Sequence, residues 1–224
     1  FSDLYADVRR ELHDEDDSKW SLNSKKEWLN QGNIDIVRLT QCLPTTATAT
    51  AVEDQAEYTF ETSFSITNFL LLQRVTLNDI PLDVVTLDNQ DKYDDGWRTA
   101  DSATPDRYRQ VGMEKIEIFP APDSDSAGDT IKIHYVKVPS AMSADASYPY
   151  NSVASLYTIF SKGLVYFACW RAYASQISEQ HTIESNKFRG LYYNFIDEMR
   201  KAYDFRPDSM GDFGGLKPIV YPRR

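Results

Sequence analysis

The chain has 224 residues, 42% of them hydrophobic, and 34 Asp+Glu against 24 Lys+Arg give it a formal charge of −10. That length and apolar content suffice for one large core or two small ones, while the acidic balance speaks against a protein that grips nucleic acid by neutralising phosphates. No apolar run reaches the roughly 18 residues of a membrane span, and Phe1-Ser2-Asp3 lacks the basic-then-apolar layout of a secretion signal.

Leu4, Val8 and Leu12 recur at i, i+4 and i+8 and predict a short helix with Ser2 as its N-cap. The charge run His13 to Asp17 ends it in a solvated loop. Ser24-Lys25-Lys26-Glu27 has capping-box spacing, and Trp28, Ile36, Leu39 and Leu43 trace a stripe of a second helix that Pro44 terminates. Gly32 inside that helix costs about 1 kcal/mol relative to Ala. Thr45 to Ala51 is a Thr/Ala-rich break in composition.

Period-2 segments follow, predicting strands over Ala56 to Thr62, Ser63 to Thr67 and Leu70 to Leu77. Asn78-Asp79 then makes a hairpin turn into Ile80-Pro81-Leu82. Asp83 to Asp91 suggests a short helical turn, and Asp94-Asp95-Gly96-Trp97 and Thr104-Pro105-Asp106 mark loops. Ile116 to Phe119 alternates and stops at Pro120-Ala121-Pro122. Asp123 to Asp129 makes the turn, and Ile131 to Val136 alternates back until Pro139.

After Tyr148-Pro149-Tyr150 the period changes to 3.6. A long helix is predicted from about Ser152 to Ser178, roughly 40 Å at ~1.5 Å per residue. Its stripe is Val153, Leu156, Phe160, Gly163/Leu164, Phe167 and Trp170/Arg171, flanked by Tyr157, Tyr166 and Tyr173. The short link Glu179-Gln180-His181 folds a last helix back antiparallel from near Thr182, with Phe188, Leu191, Phe195, Ile196, Met199 and Tyr203 on its apolar side. Phe205 to Arg224, with three Gly and three Pro, is too poor in apolar residues to build a core. The layout predicts an α+β chain. Two N-terminal and two long C-terminal helices form a four-helix bundle, with an inserted β-rich domain and an extended C-terminal tail. The corresponding ranges are 1–44, 45–147, 148–204 and 205–224.

Charge follows the same division. Residues 1–141 carry 14 Lys+Arg against 26 Asp+Glu, a local charge of −12, and residues 142–224 carry 10 against 8, or +2. The 14 Tyr, 11 Phe and 4 Trp suit surfaces that are partly buried and partly wet, as at protein–protein contacts. Cys42 and Cys169 stand alone inside two predicted helices without C-x-x-C spacing, which predicts buried free thiols in a protein made in a reducing compartment.

Catalytic signatures are missing from the pattern. His13, His134 and His181 lie in three different elements and in none of the spacings that hold zinc. Asp123 to Asp129 begins like an EF-hand loop but offers Ala127 and His134 where a third ligand and a bidentate Glu belong. Asp88, Asp91, Asp94 and Asp95 form an acidic loop, and no pair of carboxylates stands out for glycoside hydrolysis. No cofactor, metal or catalytic residue is expected.

Four features carry a resemblance. The first strand ends in Pro120-Ala121-Pro122-Asp123, and the second bears Tyr135 four residues before Pro139. A helical hairpin rich in Ala and Tyr follows them, and Trp28-Leu29-Asn30-Gln31-Gly32 lies in the second helix. This order resembles the head-to-tail adaptor (connector) proteins of tailed bacteriophages, over nearly the whole chain. The resemblance implies a virion protein at the head–tail junction, made in the host bacterial cytoplasm. It implies a ring of 12 subunits below the portal protein, a lengthened DNA channel and a platform for the tail or nozzle protein. Duplex DNA would pass at genome ejection without specific binding, and no membrane is involved. Under this reading the tail docks on portal through Phe205, Phe213, Leu216 and Tyr221 as apolar anchors and Lys217, Arg223 and Arg224 as charges. Two other classes stay open. One is a β-sandwich carbohydrate- or protein-binding module with Trp97, Tyr93 and Tyr108 as a stacking platform; the other is a carboxylate-dependent hydrolase.

Overall fold

The computed structural model describes residues 2–93, 102–143 and 154–202. It is an α+β protein, with five helices and two small sheets among the described residues. The chain divides into two compact units, one holding four of the helices and the other all of the strands.

In the helical unit, α1 (Ser2–Leu12) buries Leu4, Val8 and Leu12, the stripe expected from its period. In α2 (Leu22–Thr40) the cap lies three residues earlier than the expected box. The Ser21 side chain accepts from Ser24 N, and Lys25, Leu29, Gly32, Asn33, Ile36, Val37 and Thr40 face inward. Trp28 and Leu39 are only half-buried. The stripe is set by Gly32, where a Cβ would stand 3.0 Å from the Phe167 ring, so the absence of a side chain lets a neighbouring helix come close. Pro44 does not end α2. Gln41, at φ +51° with its N–H on Val37 O, closes the helix in the left-handed conformation. Pro44 instead opens a strand, a place where its missing N–H is tolerated. Cys42 therefore lies beyond the helix, half-buried, while Cys169 is buried; both are free thiols.

The hairpin is α4 (Ala154–Ala174) and α5 (Glu179–Ala202), with α4 packed on α5, α2 and α1. The described part of α4, 21 residues and about 31 Å, ends at Ala174, four residues before the expected end. The α5 helix starts before Thr182 because Ser178 caps it, accepting from His181 N through its hydroxyl (3.1 Å) and from Thr182 N through its carbonyl (3.0 Å). At Gly163 a Cβ would lie 2.2 Å from the Phe195 ring. Tyr192, outside the predicted stripe, is fully buried between Phe167 and Trp170, and its hydroxyl donates to Asp35 Oδ2 at 2.7 Å. Asn30 holds the chain returning to this unit by bonding both the N–H (2.7 Å) and the carbonyl (3.2 Å) of Met142.

In the strand unit, β1 (Pro44–Thr50), β3 (Phe69–Leu77), β4 (Ile80–Pro81) and β8 (Thr130–Lys137) form one sheet in the order β1-β8-β3-β4. The other, in the order β2-β7-β6-β5, contains β2 (Glu57–Thr59), β5 (Asp83–Val84), β6 (Arg107–Val111) and β7 (Lys115–Phe119). All pairs are antiparallel except β5 with β6. The short helix α3 (Leu87–Tyr93) follows β5.

Asn78 and Asp79, at φ +48° and +65°, make the expected tight hairpin between β3 and β4. Asp123 to Asp129 is not a hairpin turn, because β7 and β8 belong to different sheets. Ile116 and Ile118 of one strand and Ile131 and Ile133 of the other meet in one shared core, and facing sheets satisfy both alternations at once. Ser63 to Thr67 is no strand either. Phe64 and Ile66 still reach the core, but from a turn closed by Ser63 N on Thr59 O and Ile66 N on Phe60 O. The Thr/Ala-rich break is strand β1, and β6 arises in a stretch without a strand signal of its own.

Candidate functional site

The most polar buried cluster lies at the elbow between α1 and α2, inside the charge run expected to be a solvated loop. Asp14 is buried and accepts from Lys19 N (3.0 Å), Trp20 N (3.1 Å) and Lys25 Nζ (2.7 Å). The Lys25 ammonium is fully buried and also reaches Asp14 O at 3.1 Å and Asp17 Oδ1 at 2.8 Å. Asp17 in turn takes both the Arg9 guanidinium and the Tyr5 hydroxyl. Two carboxylates and two cations thus close a neutral network, with Arg9 resting over the Tyr5 ring at 4.5 Å.

Burial by itself would raise the Asp14 carboxyl. The Lys25 ammonium and the Lys19 and Trp20 N–H groups outweigh that effect and bring it down to about 2. Arg9 above all holds Asp17 well below the usual carboxylate range against burial, helped by Lys25 and Tyr5. Tyr5 is pushed up to about 12 by burial and then by its bond to Asp17. Groups held so far from neutrality do not exchange protons near pH 7. The cluster is a clamp on the elbow and is unsuited to acid–base chemistry.

Beside the elbow lies a cavity of about 460 Å³ lined by Trp20, Tyr173, Phe188, His13 and His181. Trp20 meets Tyr173 edge-on at 5.6 Å, and Tyr173 stacks on Phe188 at 5.7 Å and tilts against His181 at 5.8 Å. The fold thus brings two of the three distant histidines to one cavity. His134 is elsewhere, on β8, its pKa lowered by burial and by Arg74 and Lys132. No group of three His, Cys, Asp or Glu residues suited to a metal occurs among the described residues. The Asp123 carboxylate is engaged by Ser126 N at 2.9 Å, so the EF-hand-like loop closes on its own backbone.

In the strand unit, Glu117 pairs with Arg109, and Lys115 bridges Glu57 at 2.7 Å and Glu117 at 3.9 Å. Tyr108 is buried in the core and cannot serve as a stacking platform. Trp97 and the side chain of Tyr93 lie outside the described residues, as do all seven tail residues read as a docking element: Phe205, Phe213, Leu216, Lys217, Tyr221, Arg223 and Arg224. The elbow clamp had one signal in the sequence, a lysine four residues before Leu29 on the buried phase of a helix that follows an acidic run. Large apolar side chains stand out at turns: Ile177 and Ile183 about the α4–α5 turn, Ile80 in the β3–β4 hairpin and Met113 between β6 and β7.

A family model described as SU10 adaptor protein matches residues 1–211. The chain belongs to this family of phage head–tail adaptors. The match spans the helices and both sheets of the adaptor and ends at residue 211, so Phe213 and the residues after it that were read as docking contacts lie past its end. No curated protein matches the chain. Membership implies a structural role in the virion rather than catalysis, in association with portal and tail proteins. Among the described residues of the adaptor, no helix is long and apolar enough to cross a membrane.

Proposed function

We propose that the adaptor assembles as a ring, of 12 copies by family resemblance, below the portal, where it lengthens the DNA channel and presents the platform for the tail or nozzle protein. The observation that carries this reading is the family match over residues 1–211. In it α1, α2, α4 and α5 act as one four-helix bundle, with the strands inserted between its halves, over the ranges 1–44, 45–147, 148–204 and 205–224. The acidic part of the chain, residues 1–141, faces the channel, where like charge keeps DNA phosphates hydrated and mobile. Residues 205–224 run extended over portal, anchored by Phe205, Phe213, Leu216 and Tyr221, with Lys217, Arg223 and Arg224 on carboxylates. Twenty residues at about 3.3 Å each reach roughly 65 Å. The two free thiols fit synthesis in the reducing host cytoplasm.

Mass photometry of the purified adaptor with and without its portal tests the assembly. Single chains alone at micromolar concentration, and a ring-sized mass increment on portal, are expected. A portal that gains no mass would sink the proposal; a stable ring without portal would show that the ring does not need portal to assemble.

A further inference from the structure

Three of the four sheet edges are blunted. The strand β4 has two residues, one of them Pro81, β5 has two, and β2 has three including Glu57. Such brevity, proline and charge are ordinary protections against edge pairing. The fourth edge has none of them beyond its first residue. Strand β1 is seven residues long, Pro44-Thr45-Thr46-Ala47-Thr48-Ala49-Thr50, uncharged, and paired with β8 in unbroken register. It spans about 23 Å.

The direction of its backbone groups follows from the next strand pair. Asn78 N donates to Thr130 O at 2.9 Å, and Thr130 N to Asn78 Oδ1 at 3.0 Å, so Thr130 turns its polar groups toward β3. Its partner Thr50 is then a non-hydrogen-bonded position of the β1–β8 ladder. Ala51, one residue on, sends its N–H back to Asp129 O at 2.8 Å, as this alternation requires. By the same alternation Thr46, Thr48 and Thr50 aim both N–H and C=O at the open edge. All three are exposed, while Ala47 and Ala49 pack toward the core. No partner for these outward groups occurs among the described residues.

We propose that β1 is a strand-addition site, which takes an extended, basic segment of another protein chain as a fifth strand of this sheet. Main-chain bonding to Thr46, Thr48 and Thr50 supplies the attraction. Charge selects the segment. At the Thr50 end the chain runs directly into exposed Glu53 and Asp54. An incoming strand with two basic residues at that end meets this acidic rim, and one with acidic residues is repelled. The edge belongs to the single chain and does not depend on a ring.

The test uses the full chain and a synthetic octapeptide of alternating threonine and valine that begins with two arginines, the end an antiparallel strand brings to Thr50, with a twin that begins with two glutamates. Amide exchange of the labelled chain should show saturable protection of Thr46, Thr48 and Thr50 by the basic peptide, at least tenfold, with Ala47 and Ala49 protected before it is added. The acidic twin should bind at least tenfold more weakly. Thr48→Pro removes an outward N–H and no bond of the β8 ladder, and should abolish binding. Glu53→Lys, which leaves the edge backbone unaltered, should weaken it at least threefold. Absence of protection up to about 1 mM peptide, or binding unchanged in both variants, overturns the proposal. So does a sedimentation result in which the free chain is a dimer that Thr48→Pro dissociates, since the occupant is then a second copy.

Discussion

Lys25 concentrates the electrostatic cost of the helical unit in one side chain. Its ammonium is fully buried and answers two carboxylates, and removing one partner of a buried pair leaves the others uncompensated. Lys25→Ala is expected to destabilise the protein by roughly 3–5 kcal/mol in urea melts. Adding Asp14→Ala should return part of that loss, because the buried negative charge goes with it. The same cluster sets an acid limit. The folded-state Asp14 value, about 2, lies below its ordinary 3.8, and Asp17 is depressed further. A depressed carboxylate binds fewer protons folded than unfolded, so its stabilisation is complete above about pH 4 and is lost as pH falls through the folded value. Melting temperatures recorded by circular dichroism should fall steeply between about pH 4 and pH 2. In Asp14→Asn the fall should be shallower, starting from a lower plateau.

Among the elements, the helical hairpin depends on a contact that only glycine permits. A methyl at Gly163 would overlap the Phe195 ring, forcing the ring aside or the helices apart, whereas Gly190 on the exposed side of α5 has open space around it. Gly163→Ala should therefore cost about 1–3 kcal/mol as overpacking. Gly190→Ala should stabilise the helix by about 0.5–1 kcal/mol by restricting the unfolded chain. Chemical denaturation of the two variants checks the opposite signs, and equal effects would mean that Gly163 is not a packing position. Residue period made α1, α4 and α5 legible in the sequence, together with β3, β7 and β8. Strand β1 was missed because Thr and Ala alternate too weakly in hydropathy. Its position is imposed by the in-register partners Thr130 to Val136.

At the scale of the whole molecule, the proposed portal contact lies in the tail, whereas stability resides in the two cores. Deleting Met210 to Arg224 should leave the thermal transition almost unchanged and abolish attachment to portal-bearing heads. A truncated chain that still joins DNA-filled heads and supports tail assembly would shift the docking role to the helical hairpin. The candidate site was only partly legible in the same way. The acidic elbow was visible as a run of charges, but its burial was not, because Lys25, Arg9 and Tyr5 come to Asp14 and Asp17 from two helices. Tyr108, read as an exposed platform, proved to be core, since β6 carries it between two sheets that share one interior.

By itself the sequence determined element type in the helices and in β3, β7 and β8, where a period of 3.6 or 2 was sustained, though not at Ser63 to Thr67, and it determined the tight turn at Asn78-Asp79. Both depend on neighbours in the chain: on which face successive side chains fall, and on the ease with which Asn and Asp take positive φ. It also carried the family, through the order of its Pro, Tyr and Trp-Gly signals. Tertiary structure alone decided that β7 and β8 part into different sheets, that a lysine turns inward, that Tyr192 reaches Asp35, and that β1 has no outer neighbour among the described strands. Each of these depends on groups far apart along the chain, and strand pairing and ion pairing are chosen by which distant partner the shared core brings within hydrogen-bonding reach.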